Sequence, residues 1–322
     1  MKEYDLIIVG GGPAGLSSAI YAGRALLKTL VIEAFSLGGR INDTAKVINY
    51  PAASSNRGQA LVQDFRDHAS FFKTNEFIYG TVTKVEKDGD YFIVSTKRNK
   101  FFKSKAVIVA TGTVSKVLNI PGEIQLKGNG VSYCATCDGD YFRNSNIHVL
   151  GSGDVALEEA DYLAQFANHI TMVVLHEEGK VDGNYLQFQK ILYHPKIEFL
   201  WNSKITAIEG KDQVEGIEIE NTITKKRKKV HSDGVFIFGG MEPQANCVKE
   251  ILTLDEDGYV ITDDRMATDI PGLFCAGDLR QKTLRQIVTA ASDGAIATVY
   301  AEKYIRNEWR QNESLSNGDG KI

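Results

Sequence analysis

Asp5-Leu-Ile-Ile-Val9 is a run of strand formers that stops on Gly10-Gly-Gly-Pro-Ala-Gly15, and an Ala/Leu-rich stretch from Leu16 to Leu27 follows at once. No other feature limits the fold as much. Gly10-x-Gly12-x-x-Gly15 between a strand and a helix permits a tight turn, lets backbone approach a pyrophosphate, and allows close helix–strand packing. The N–H groups at the helix start then face the phosphates. Thr29-Leu-Val-Ile-Glu33 reads as the next strand. Glu33 ends it about 20 residues on, where a carboxylate accepts hydrogen bonds from a ribose. A strand–helix turn with no ligand would use the same glycines. The strand, the helix and Glu33 together favour a bound dinucleotide, and leave FAD and NAD open.

The pattern returns in mid-chain. Asn146-Ile-His-Val-Leu150 reads as a strand, Gly151-Ser-Gly153-Asp-Val-Ala156 as a second glycine turn, Leu157 to Phe166 as a helix and Ile170-Thr-Met-Val-Val-Leu175 as a strand. Two copies imply an α/β chain with two Rossmann-like, FAD/NAD(P)-type dinucleotide-binding domains. The 322 residues suit about two domains. The C-terminal third starts no third copy. Gly272-Leu-Phe-Cys-Ala-Gly-Asp278 leads instead to the helix-like Thr283 to Tyr304. Gly- or Pro-rich crossovers near Thr113–Pro121 and Gly239–Ala245 put the second domain, 117–242, inside a discontinuous first domain, 1–116 with 243–322. From Arg310 on, the polar residues read as a frayed end.

Composition narrows the class. Lys+Arg is 37 against 41 Asp+Glu, a formal net charge of -4, which argues against nucleic acid as the main partner. No uncharged apolar run reaches the roughly 18 residues of a membrane span. The N-terminal apolar run Leu6-Ile-Ile-Val9 is too short for a signal peptide. The expected compartment is the cytoplasm, with no membrane partner. There, two close cysteines serve catalysis or a metal rather than structure.

Cys134-Ala-Thr-Cys137-Asp138-Gly139 is such a pair. One thiolate attacks a partner disulfide and the other resolves the mixed disulfide. Asp138 is placed to exchange a proton with the leaving thiol. Structural zinc would need four ligands. Cys247 and Cys275 are isolated and no His pair has ligand spacing, so no metal is expected. These two read as inert thiols.

The sequence resembles the low-molecular-weight thioredoxin reductases over nearly its whole length. The resemblance is carried by Gly10-Gly-Gly-Pro-Ala-Gly15, Asn49-Tyr-Pro51, Ala110-Thr-Gly112, Cys134-Ala-Thr-Cys-Asp138, Gly151-x-Gly-x-x-Ala156, Gly277-Asp278 and Arg285-Gln-Ile-Val-Thr-Ala-Ala-x-Asp-Gly294. It implies FAD in the first domain, held by Gly10, Gly12, Pro13, Ala14, Gly15 and Glu33. Asn49, the Ala110-Thr111-Gly112 turn, Gly277, Asp278 and Arg285-Gln286-Ile287 complete that set, and Gly39 and Arg40 fall near the flavin. It further implies a homodimer, thioredoxin as the protein substrate, and a rotation of the second domain that alternates the redox pair between flavin and substrate. Cys137 would face the flavin, Cys134 would attack thioredoxin, and Asp138 would act as acid/base.

The second domain departs from that family. Members usually carry His-Arg-Arg after its second strand, with another Arg four residues beyond, as a clamp on the NADPH 2′-phosphate. Those positions hold Val174-Leu175-His176 and Lys180, with Glu177 and Glu178 between. Apolar side chains hold no phosphate, and carboxylates repel it. Three readings of the donor follow. NADH would place Glu177 or Glu178 on its ribose. Ferredoxin, the favoured reading, would make the nicotinamide site vestigial, and Val-Leu-His-Glu-Glu-Gly resembles members that use it. Weak NADPH use would run through Lys180. A flavoprotein dithiol oxidase and a non-catalytic redox sensor are the alternatives in other classes. The Ala-Thr between the cysteines and the Asp after them resemble the reductases. Smaller departures are Arg40 for the usual Gln and Ala52 for the usual Gly. Lys225-Lys-Arg-Lys-Lys229 reads either as a solvated hairpin tip or as a docking patch for an acidic protein.

Overall fold

β1 (Lys2–Val9) is a central strand of the first sheet in the computed structural model, which describes residues 1–43, 47, 49–53 and 57–306. The tail from Arg310 and the end of the 243–322 segment lie outside the described residues. Leu6, Ile7 and Ile8 are fully buried. A strand apolar on both faces belongs in a parallel sheet covered on both sides. The chain continues through α1 (Pro13–Arg24), β2 (Thr29–Glu33), a 3-10 turn (Gly39–Asp43), α2 (Gly58–Phe71) and β3 (Asn75–Tyr79). β4 (Val82–Asp88), β5 (Tyr91–Thr96), β6 (Phe101–Val109) and β7 (Thr113–Ser115) follow.

A second compact unit then spans Ser115–Met241. It holds β8 (Val131–Ser132), α3 (Ala135–Asp138), a 3-10 turn (Gly139–Phe142), β9 (Asn146–Leu150), α4 (Asp154–Leu163) and β10 (His169–Val173). α5 (Tyr185–Leu192), β11 (Ile197–Leu200), β12 (Ser203–Glu209), β13 (Gly216–Asn221), β14 (Arg227–His231) and β15 (Gly234–Ile237) complete it. The chain returns to the first unit with β16 (Met241–Pro243), β17 (Leu273–Cys275), a 3-10 turn (Gly277–Leu279) and α6 (Ile287–Ile305).

In the first unit β3, β2, β1, β6 and β17 run side by side, all parallel. β6 is long enough to serve twice. Its first half, Phe101–Ser104, pairs antiparallel with β5, and Val107–Val109 pair parallel with β17. α1 and α6 pack on one face and approach closely at Gly294, where a Cβ would overlap the Ala14 carbonyl. In the second unit β11, β10, β9, β15 and β8 form a parallel sheet in that order. α4 and α5 cover one face through Leu157, Leu163, Phe188 and Ile191. The antiparallel sheet β12-β13-β14 covers the other through Ile205, Ile208, Ile217 and Ile219.

The helices after the two glycine turns start earlier than their apolar runs indicate, at Pro13 and Asp154 rather than Leu16 and Leu157. The last residues of each motif are already the first helical turn, and Pro13 sits at its start, where a missing N–H costs nothing. α6 starts at Ile287 rather than near Thr283. Gln286 caps it in reciprocal hydrogen bonds with Thr289.

Candidate active site

Cys134 and Cys137 are joined by a disulfide, with Cα atoms 5.4 Å apart, on the short helix α3. Cys137 is exposed and Cys134 half-buried. Cys134 Sγ accepts the Cys137 N–H at 3.1 Å, so the turn offers a hydrogen bond to a Cys134 thiolate once the disulfide opens. Asp138 Oδ2 accepts from Ser132 Oγ at 2.6 Å, and Ser132 Oγ also accepts the Cys134 N–H at 3.1 Å. On the other side, Tyr133 donates its O–H to Glu123 Oε1 at 2.6 Å. Glu123 is fully buried and also accepts the amides of Leu118 and Ile120. Burial, then the hydrogen bond to Glu123, pushes the Tyr133 phenol up. Cys247 and Cys275 lie in the first unit's core, and burial pushes Cys247 up to about 11 and Cys275 higher still. Both remain thiols at neutral pH, which agrees with an inert role. Among the described residues no group of three His, Cys, Asp or Glu is placed to hold a metal.

The first glycine turn lies at the carboxyl ends of β1, β2, β6 and β17, at the switch point of the strand order, where ligands of open α/β sheets bind. A Cβ on Gly10 (φ +105°) would overlap the carbonyl of Ala110. One on Gly39 (φ +54°) would come within 3.1 Å of the Gly12 Cα. These contacts bring the Ala110-Thr111-Gly112 turn and the Gly39–Arg40 turn against Gly10–Gly15. Thr111 Oγ1 anchors to Gln244 O at 2.7 Å. Glu33, nearly buried, accepts Gly11 N–H at 2.6 Å and Phe35 N–H at 2.9 Å, one on each carboxylate oxygen. It therefore braces the turn and keeps a further lone pair on each oxygen for a ribose hydroxyl. Asn49 Nδ2 donates to Gln286 Oε1 at 3.0 Å, beside Ile287 at the first turn of α6.

Two buried polar atoms in this region have no hydrogen-bond partner among the described residues, Asp278 Oδ1 and Arg285 Nε. Lys282 Nζ stands 3.5 Å from that Asp278 oxygen. Burial raises the Asp278 carboxyl, while Lys282, Arg40 and Arg285 pull it back. The Arg285 guanidinium stacks on Tyr259, 3.8 Å from the ring centre. Asp293 ties the cluster together, accepting Gly277 N–H at 3.1 Å and Lys282 Nζ at 3.0 Å. A glycine cradle, a helix start and buried polar atoms awaiting partners form a site fit for a flavin dinucleotide.

The second glycine turn is built alike but is already filled. Gly151 (φ +128°) packs against Phe238 O, where a Cβ would lie at 2.5 Å. Asp182-Gly183-Asn184 lies over the turn. A Cβ on Gly183 would sit 2.6 Å from Asp154 N and 2.7 Å from Gly153 C. Asp182 and Gly183 both donate their amides to Ser152 O, at 3.1 and 2.9 Å. Asp182 Oδ2 accepts Ser152 Oγ at 2.7 Å, and Asp154 Oδ1 accepts Asn184 N–H at 2.6 Å. The chain's own Asp182-Gly183-Asn184 loop thus packs directly on the second glycine turn. At the former clamp positions Val174 is core, Leu175 is exposed, and His176 contacts Asp182 Oδ1 at 2.9 Å. Lys180 is ion-paired with Glu177. The basic run forms the β13–β14 hairpin and its edge strand, with Arg227 on Glu220 and Glu218 and Lys229 on Glu209.

Residues 4–294 match the pyridine nucleotide-disulphide oxidoreductase family. A thioredoxin reductase of Peptoclostridium acidaminophilum is 40% identical over 96% of this chain and 99% of its own. The chain belongs to the thioredoxin reductase family. As a member it is an FAD-dependent disulfide reductase with a redox-active cysteine pair, and the first cradle fits that cofactor. The thioredoxin reductase of Lactococcus lactis superposes with a TM-score of 0.90 at 39% identity, over 94% of this chain and 99% of that one. A ferredoxin-flavin thioredoxin reductase from Clostridium acetobutylicum lies further off, with a TM-score of 0.53 at 28% identity over 96% and 99%.

Ser132, Glu123, Tyr133, Asp154, Asp182 and Lys282 carry no assigned role in the sequence reading. Each acts through a partner distant in sequence or through a backbone amide, and no local spacing marks it. Asp293 lies in the matched C-terminal stretch, a trace of position without a role.

Proposed function

We propose that this reductase acts on thioredoxin and draws its electrons from a small one-electron iron–sulfur protein of the ferredoxin type rather than from NADPH or NADH. The observation that carries the donor reading is the filled second cradle. The Asp182-Gly183-Asn184 loop packs on the glycine turn, with Asp182 on the Ser152 hydroxyl and Asp154 on the Asn184 amide, and the 2′-phosphate clamp is absent. Like charge and occupied volume both oppose a nicotinamide dinucleotide there. Lys180 and Glu177 neutralise each other, which weakens the readings that give either one a nucleotide.

FAD, when bound, supplies a two-electron store that can be filled one electron at a time. Gly10, Gly12, Ala14 and Gly15 would take its pyrophosphate at the start of α1, behind Pro13, and Glu33 its ribose. Asp278 Oδ1 and Arg285 Nε would gain the partners they lack, with Asn49, Gln286 and Ile287 beside them. Two electrons and two protons open the Cys134–Cys137 disulfide. The Cys134 thiolate attacks one sulfur of the thioredoxin disulfide, that S–S bond breaks, and a mixed disulfide forms. Asp138 gives a proton to the departing thioredoxin thiolate. The Cys137 thiolate attacks Cys134 Sγ, releases the second thioredoxin thiol and restores the disulfide. Cys137 also faces the flavin in this scheme. We place the enzyme in the cytoplasm as a homodimer, following the family resemblance.

Anaerobic flavin bleaching tests the donor. Reduced ferredoxin should bleach the flavin rapidly, and NADPH and NADH should leave it oxidised. Rapid bleaching by either nicotinamide would overturn the donor reading and leave the disulfide chemistry intact. Peroxide formation from a small dithiol without thioredoxin turnover would favour a dithiol oxidase.

A further inference from the structure

We propose that Ser132 is a positioning residue for the proton-transfer step. Its hydroxyl turns between two hydrogen-bonding states and so serves Asp138 both ionised and protonated. The inference rests on the acid/base role proposed above for Asp138.

Ser132 ends β8, is 4% exposed, and is held in register against Phe236 of β15. Its Oγ stands 2.6 Å from Asp138 Oδ2 and 3.1 Å from Cys134 O, and it receives the Cys134 N–H at 3.1 Å. A hydroxyl has one proton and two lone pairs. That proton cannot serve both Asp138 and the Cys134 carbonyl. With Asp138 ionised it points to the carboxylate, the shorter and charge-assisted bond. The Cys134 N–H fills one lone pair.

When Asp138 carries a proton the same atoms rearrange without moving. The carboxylic O–H donates to the second lone pair of Ser132, and the serine proton swings to Cys134 O. All four groups keep a partner in both states, because Cys134 O also accepts the Asp138 N–H at 3.3 Å. Delivery of the Asp138 proton to a departing thiolate then leaves no buried polar atom stranded, because the serine proton swings back to Oδ2. Alanine here would leave the Cys134 N–H and Asp138 Oδ2 without this partner. The same serine also links the acid/base residue to the backbone of Cys134, the cysteine proposed to attack.

Other titratable groups flank the turn. Tyr133 is bound to Glu123, and Asp140 is paired with Arg143. α4 contributes Asp154, held by Asn184 N–H, Asp161, paired with Lys190, and Glu158, Glu159 and Tyr162. β15 contributes no titratable side chain.

The test uses FAD-loaded enzyme, reduced to the dithiol and mixed with oxidised thioredoxin in a stopped-flow instrument across a range of pH. Asp138→Asn defines the limb of the rate profile that Asp138 governs, as the limb it removes. Ser132→Ala should slow the reaction about tenfold, shift that limb to higher pH and leave the flavin content unchanged. Ser132→Thr should return the limb to its wild-type position. The double variant Ser132→Ala/Asp138→Asn should be no slower than Asp138→Asn. An unmoved limb in Ser132→Ala, or an equal slowing by that change with and without Asp138, overturns the proposal. Wild-type rates in Asp138→Asn would overturn the underlying reading as well. If Ser132→Ala fails to retain FAD, Ser132→Gly carries the test, since it removes the same hydroxyl without adding a thiol beside the redox pair and should displace the same limb.

Discussion

Single side chains here mostly act through backbone amides. Glu33 is the clearest, because one carboxylate fixes both Gly11 and Phe35. Glu33→Gln removes the charge from both bonds and replaces one acceptor oxygen with an NH2 group that cannot accept an amide N–H. Hydrogen bonds to charged groups contribute about 1.5–3 kcal/mol, so the variant should melt earlier and release FAD on gel filtration. Full FAD retention with an unchanged melting temperature would deny Glu33 that bracing role. Asp138→Asn should slow thioredoxin reduction by about 10²-fold or more, in the range of a lost general acid. Cys137→Ser should keep FAD and lose turnover, and retained turnover would remove Cys137 from the pathway. How much of this is legible in the sequence depends on the reach of each contact. Asp138 is visible because it adjoins Cys137. Ser132 is not, since a serine two residues before a cysteine has no meaning until the chain folds back and sets its Oγ against Oδ2. Glu123 is equally silent, as its partners are two amides and a tyrosine ten residues on.

At the level of elements, the two strand–glycine–helix units were readable because period and glycine spacing are local signals. β2 and β9 match their sequence readings residue for residue. What fills a glycine turn is not local, and the motif Gly151-Ser-Gly153-Asp-Val-Ala156 does not reveal that Asp182-Gly183-Asn184 lies on it. Replacing the two carboxylates, Asp154→Asn with Asp182→Asn, should lower the second unit's stability by about 1–3 kcal/mol. It should leave ferredoxin-driven turnover at the wild-type rate in a coupled assay. A matching loss of turnover would mean the filled turn takes part in catalysis. A second prediction concerns β9. His148 is 7% exposed and hydrogen-bonded to Ser232. Burial chiefly, then His169, Lys228 and His231, lower its pKa from 6.5 to about 4. The unfolded chain therefore binds the extra proton between these values, and stability present above pH 6.5 is lost as pH falls toward 4. The loss is about 3 kcal/mol. Denaturant melts at neutral and acid pH should show it, and His148→Gln should flatten the slope.

For the molecule as a whole, a formal net charge of -4 gives no overall attraction to an acidic donor, so steering of that donor would need a local basic patch. The β13–β14 hairpin is a weaker candidate for that contact than its sequence implies. Arg227 and Lys229 already answer glutamates of the same sheet, which accords with the solvated-edge reading. Lys225→Gln with Lys226→Gln should leave ferredoxin-driven bleaching unchanged across salt concentrations, and a lower rate with a shallower salt dependence would restore the hairpin as a docking patch. Sedimentation velocity of the FAD-loaded protein should give one species at twice the chain mass of 35.5 kDa. The branching of β6 has a consequence for synthesis. The segment through Val109 leaves the ribosome with the flank of its parallel sheet open, since β17 and α6 are encoded roughly 160 residues later. At about 5–20 residues per second that interval is roughly 10–30 s. The inserted unit emerges whole within it, while the first-made strands wait with apolar surface uncovered. The nascent chain is thus most in need of a chaperone before its last third is translated.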